Sequence, residues 1–171
     1  TKTEVDSAIS AVNTLDGDLT GSVFGDDSTL LVDGVNNKIV GAVDTTSLRT
    51  SETKIALGNS AGETTQGGSA VAVGNLAGQT TQGASAVAIG SAAGYTGQGG
   101  SAVAVGYSAG LTTQGANAIA VGYSAGNTTQ GVEAVAIGRL AGTTAQGNNA
   151  VAVGPYAGQT TQGGSAVAVG R

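Results

Sequence analysis

From Lys54 onward this chain repeats itself every 16 residues, and that period constrains its fold more than any other feature. The glycine that closes each Ala-Val-Ala-Val-Gly half-unit recurs at Gly58, Gly74, Gly90, Gly106, Gly122, Gly138, Gly154 and Gly170. Three further columns hold the same register without exception: Ala61 to Ala157, Gly62 to Gly158, and the Gln-Gly pair from Gln66-Gly67 to Gln162-Gly163. An uninterrupted short period belongs to architectures in which each unit stacks on its neighbour.

Each unit has two punctuated halves. The first, as in Ala86-Val87-Ala88-Ile89-Gly90, alternates small residues with β-branched ones, which is a strand pattern and far too short for a helix. The second runs from a small-residue turn such as Ser91-Ala92-Ala93-Gly94 through Thr96 to Gln98-Gly99. Glycine at the junctions is expected to supply the positive φ of sharp corners. Two short strands and two turns then close one coil, and the next coil lies about 4.8 Å further along the axis. Seven such coils make a rod roughly 35 Å long.

The alternation also bears on assembly. Val71 and Val73 point to one side of the strand, and Ala70, Ala72 and Gly74 to the other. Either Val71, Val73, Val87 and Ile89 fill the coil and the Ala72 column meets another chain, or the assignment is reversed. Both leave a long face without charge, apart from Lys54 at the first rung, and an uncovered sheet of that kind aggregates. An obligate oligomer is expected. The Gln66, Gln82, Gln98, Gln114, Gln130, Gln146 and Gln162 column is expected to form an amide ladder, each side chain bonding its equivalent in the adjacent coil.

These residues resemble a known family. Ser-Ala-Val-Ala-Ile-Gly followed by a small-residue strand is similar to the YadA-like head repeat of trimeric autotransporter adhesins. Longer versions with a Thr-x-Gln-Gly turn look like repeats in fibre proteins of tailed phages and large algal viruses. The resemblance covers about 54–171 and implies an all-β, left-handed parallel β-roll that is homotrimeric. The commoner adhesin period is shorter than 16, so the second turn is extended here and adhesin ligand sites do not carry over.

The lead-in divides in two. Val5, Ile9 and Val12 fall at helical spacing, so 1–15 is expected to end a coiled-coil stalk, stopped by Asp16-Gly17-Asp18. Residues 16–53 read as a small β-meander adaptor and connector, with three β-like runs separated by turn clusters at Gly25-Asp26-Asp27-Ser28 and from Asp33 to Asn37. The phrase Leu19-Thr20-Gly21-Ser22-Val23-Phe24 with Asp26 to Asp33 is similar to segments of structural proteins from marine tailed phages. The absence of an initial Met and the repeat arrested at Val169-Gly170-Arg171 point to a piece of a longer chain.

Composition removes most chemistry. One Phe, four Tyr and no Trp cannot build a conventional globular core. With no His and no Cys, the commonest general base, metal ligand and nucleophile activator are all missing, so no enzyme activity, metal or cofactor is expected. The lead-in carries Lys2, Lys38 and Arg49 against nine acids, while the array carries Lys54, Arg139 and Arg171 against Glu63 and Glu133. Those acids lack an EF-hand loop and read as turn-forming, and the charge balance leaves no footprint for nucleic acid. No apolar stretch is long enough to insert in a membrane.

Positions that vary between repeats should lie outside, among them Asn75, Leu76, Gln79, Leu111, Asn127, Arg139 and Leu140. All four Tyr fall at such places, and Tyr95, Tyr107, Tyr123 and Tyr156 are candidate receptor contacts, with cross-coil stacking of Tyr107 on Tyr123 as the competing role. The expected function is a non-enzymatic virion tail fibre or spike shaft, extracellular, that contributes to host attachment. Its expected partners are its own copies in a homotrimer, other fibre or virion proteins through the N-terminal side, and a host receptor or glycan. A bacterial trimeric adhesin head is the first alternative. An ice-binding solenoid is the second, suggested by the Thr64 to Thr160 column. Adjacent Thr-Thr pairs are expected to put one hydroxyl per coil on a given face, which weakens that last reading.

Overall fold

The computed structural model describes the backbone at 22–24 and 30–33 and the residues 54–170. The chain separates into two compact units, Thr1–Leu48 and Arg49–Arg171. In the first, β1 (Ser22–Phe24) pairs antiparallel with β2 (Leu30–Asp33), with Val23 opposite Val32 and a register shift before Phe24. These are two of the three runs expected in the adaptor. The third run, the helix expected over 1–15 and the connector lie outside the described residues.

The second unit is an all-β solenoid of stacked 16-residue coils. One wall is an eight-stranded parallel sheet formed by β3 (Ile55–Leu57), β5 (Val71–Val73), β7 (Val87–Ile89), β9 (Val103–Val105), β11 (Ile119–Val121), β13 (Val135–Ile137), β14 (Val151–Val153) and β15 (Val167–Val169). The facing wall is a five-stranded parallel sheet of β4 (Thr64–Gln66), β6 (Thr80–Gln82), β8 (Thr96–Gln98), β10 (Thr112–Gln114) and β12 (Thr128–Gln130). Strict register follows from the sequence period: Ala72 pairs with Ala88, and Gln82 with Gln98.

The hydrogen bonding does not stop at the strands. Leu76 N–H donates to Asn59 O (2.8 Å), Gly78 N–H to Ala93 O (2.8 Å) and Ser85 N–H to Gly68 O (2.8 Å), so the corners are laddered as well. Buried backbone polar groups need partners, and here the adjacent coil supplies them around most of the circumference.

The interior resolves the two assignments left open by the alternation. Ala72, Ala88, Ala104, Ala120, Ala136 and Ala152 are fully buried inside the coil, packed on Ala77, Ala93, Ala109, Ala125 and Ala141. Val71, Val73 and Val87 are half-buried and Ile89 is exposed, so the branched column faces outward and the assignment that placed it inside is corrected. Room decides the matter. A Cβ built on Gly110 would stand 3.3 Å from Ala104 Cβ and 2.8 Å from Gln114 Oε1. A space already filled by alanine methyls and glutamine amides has no volume for valine.

The junction glycines carry positive φ as expected, Gly90 at 125° and Gly94 at 55°. Residues with side chains share that conformation, among them Leu76 (φ 59°), Ser85 (58°) and Thr81 (56°). Close approach between coils adds a second glycine requirement: at Gly67 a Cβ would lie 2.4 Å from Ala84 N of the next coil.

Candidate functional site

The described residues present their polar groups as columns along the solenoid. They hold no cluster of three or more potential metal ligands, and no helix among them is long and apolar enough to cross a membrane. What the fold does present is one polar column sealed inside and three chemically distinct surfaces outside.

The sealed column is the glutamine ladder. Gln82 Nε2 donates to Gln98 Oε1 (3.1 Å), Gln98 to Gln114 (3.1 Å), Gln114 to Gln130 (3.1 Å), Gln130 to Gln146 (3.2 Å) and Gln146 to Gln162 (3.2 Å). Each of these six amides also donates across the coil to the opposite wall, as Gln114 Nε2 does to Val103 O (2.9 Å). The ladder thus ties both walls together as well as successive coils. Gln66 is the exception. Its Nε2 donates to Ile55 O (2.8 Å) and Ala70 O (3.3 Å), and Gln82 Oε1 is left buried without a partner. Glutamines this deeply enclosed cannot reach a ligand, so their role is structural.

The first outer surface is the branched face of the eight-stranded sheet. Val103, Val105, Val121, Val135 and Val151 are half-buried, and Ile89, Ile119 and Ile137 are exposed. Two apolar residues per coil line this face from β3 to β15, in unbroken register.

The second is the threonine side of the five-stranded sheet. Thr65, Thr81, Thr113 and Thr129 sit at φ between 51° and 56°, a region that is an outlier for a β-branched residue. The kink breaks strand alternation. With Gln114 and Gln130 turned inward, Thr112 with Thr113 and Thr128 with Thr129 are all exposed. The expectation of one hydroxyl per coil is therefore corrected: both columns open outward where both threonines are present. Gly97 occupies the same position at φ 70°. The pattern lapses at Ala145 and Thr161, where only single bridges, Gln130 to Gln146 and Gln146 to Gln162, continue the wall and an open concavity forms beside them.

The third is aromatic. Tyr107 and Tyr123, exposed at 55% and 53%, stack with ring centroids 5.3 Å apart and planes 11° from parallel. Arg139 occupies the next rung of their column; its guanidinium lies 4.3 Å from the centre of the Tyr156 ring and donates to the Tyr156 hydroxyl. Tyr95 is half-buried and stands in a different column, beside Thr96. Sequence reasoning placed Arg139 outside but missed its pairing with Tyr156, because the two are 17 residues apart and so belong to different columns.

Charge is sparse on these surfaces. Glu63, at the first coil, has its carboxyl held below the ordinary value by hydrogen bonds from the Gln79 side chain, first, and from Ser60. The Gln79 bond is short, at 2.7 Å. No family model, curated protein or solved structure matches the chain.

Proposed function

We propose that this chain is a non-enzymatic structural fibre protein whose array assembles as a homotrimer, forming the shaft of a virion tail fibre or spike that contributes to host attachment. The observation that carries this reading is the outward Val/Ile ladder. A soluble rod does not leave two apolar side chains per coil open along its whole length. Identical faces on identical chains cover one another with closed symmetry and in register. The resemblance to YadA-like head repeats favours three chains around one axis. The phage-like phrase in the adaptor favours a virion over a bacterial surface.

Native mass measurement and light scattering on the 171-residue chain test the assembly. The unmodified protein is expected to be a trimer, and Val103→Lys with Val121→Lys should dissociate it, because each trimer would bury six lysines on one seam. Tyr107→Ser should leave the trimer intact. A stable, soluble monomer of the unmodified chain would remove the argument.

A second reading has its own support. The paired threonine columns, interrupted at Gly97 and Ala145, form an uncharged, hydroxyl-bearing face that could meet an ice lattice, and they lie on the opposite wall from the Val/Ile ladder. Thermal hysteresis in the purified protein, lost when Thr113 and Thr129 become Gly, would favour ice binding. Freezing behaviour identical to that of an inert protein at the same concentration would dismiss it.

A further inference from the structure

Within the fibre reading, on which this step rests, we infer that the strip Tyr107–Tyr123–Arg139–Tyr156 is a binding site for an extended, carboxylate-bearing polysaccharide lying along the rod. Three features of the strip point to that chemistry. Two adjacent rungs are more than half exposed as aromatic rings, in an array whose described residues hold only four Tyr and no other aromatic side chain. Exposed aromatic residues concentrate binding energy, and their faces and edges pack against the C–H surface of sugar rings. The rings lie nearly parallel on adjacent coils, so each covers one face of the other and leaves its second face and its edges to a ligand. The rung before Tyr107 is Ser91, a side chain too small to cover the open face of Tyr107.

Arg139 sets the charge of the ligand. It stands one rung beyond Tyr123, and the contacts the structure gives it are both to Tyr156, a neutral phenol. Stacking on that ring holds the guanidinium in place while leaving other donors of its planar fork available. Such a fork, presented rigidly, is suited to a carboxylate. About 10 Å separates the rung of Tyr107 from that of Arg139 at the spacing of parallel strands. A ligand that touches both therefore spans more than one sugar unit, which selects a polymer over a monosaccharide. Diffuse attraction is a poor substitute, because the array carries only Lys54, Arg139 and Arg171 against Glu63 and Glu133 and so has no extended basic surface. In a trimer three such strips would run in parallel, and a long polymer engaging more than one gains avidity without new contacts.

The test uses the full chain with immobilised polygalacturonate as the acidic probe and dextran as the neutral one. The unmodified protein is expected to bind polygalacturonate at least tenfold tighter than dextran, a difference of about 1.4 kcal/mol. Arg139→Gln should abolish most of that preference and its salt dependence, and Tyr107→Ser with Tyr123→Ser should weaken binding to both polymers. No polygalacturonate binding, equal binding to the two polymers, or full binding by Arg139→Gln would overturn the site. Native mass measurement on the same samples separates this from the assembly reading. A trimer that ignores polygalacturonate overturns the site alone, whereas a monomer that binds it through Arg139 keeps the site and overturns the trimer.

Discussion

Removing one rung of the glutamine ladder should cost much more in the middle than at its first member. Gln114 is 2% exposed. Its Nε2 donates to Val103 O at 2.9 Å and to Gln130 Oε1 at 3.1 Å, and its Oε1 accepts from Gln98 Nε2 at 3.1 Å. Gln114→Ala loses those three bonds, at about 1 kcal/mol net each. It also strands Gln130 Oε1 in a site with no water access and leaves a cavity in a tightly filled interior, adding about 1–3 kcal/mol. The expected destabilisation is about 4–6 kcal/mol. Gln66 is half-buried, donates only to Ile55 O and Ala70 O, and makes no bond to the Gln82 amide beside it, so Gln66→Ala should cost about 1–2 kcal/mol. Urea unfolding followed by far-ultraviolet circular dichroism gives both values, with native mass checked so that assembly is held constant. Gln114→Leu separates volume from hydrogen bonding, since it refills the space and restores no bond. Equal losses at Gln66 and Gln114, or a Leu variant as stable as the parent, would refute the assignment of stability to the amide bonds.

Other outcomes follow from the same geometry. Thr113→Gly removes a β-branched side chain from left-handed backbone and should stabilise the array by about 0.5–1 kcal/mol, read as a rise in unfolding midpoint. The reciprocal Gly97→Thr should destabilise it by a similar amount without a clash, because a Cβ there meets nothing closer than Thr113 Cα at 3.8 Å. Ala120→Leu should break the coil itself and lose β-structure by circular dichroism, whereas Ile119→Ser on the outer face should alter assembly and leave the single-chain fold intact. Gln79→Ala should let the Glu63 carboxyl titrate nearer its ordinary value by NMR. Because that group is held low in the folded chain, its small contribution is present above the unfolded carboxylate range and fades as pH falls through the folded value.

The period, the two strands per coil and the position of the glutamine column were all legible because a repeat is its own template: whatever residue stands at 82 meets its equivalent at 98. The inward side was not legible. Alternation divides Val71 and Ala72 between two faces but says nothing of how near the opposite wall lies, and that distance decides which one fits. The left-handed threonines were hidden for the opposite reason. Propensity would put glycine at 65, 81, 113 and 129, and only Gly97 displays the backbone that its equivalents adopt against preference. In the candidate site, the Tyr107–Tyr123 stack lay within one column and could be anticipated. The Arg139–Tyr156 pair crosses columns and needed coordinates.

Because the backbone bonds of each coil point to its neighbours above and below, the array has a definite mechanical character. Tension applied between residues 54 and 170 would load the bonds of an outermost coil before any others, as a zipper is opened from its end. Each release would free 16 residues, roughly 50 Å of slack, and then present the next coil with the same resistance. The expected record under a pulling probe is a series of evenly spaced, nearly equal force peaks. A rod built this way yields in fixed steps and dissipates work at each one.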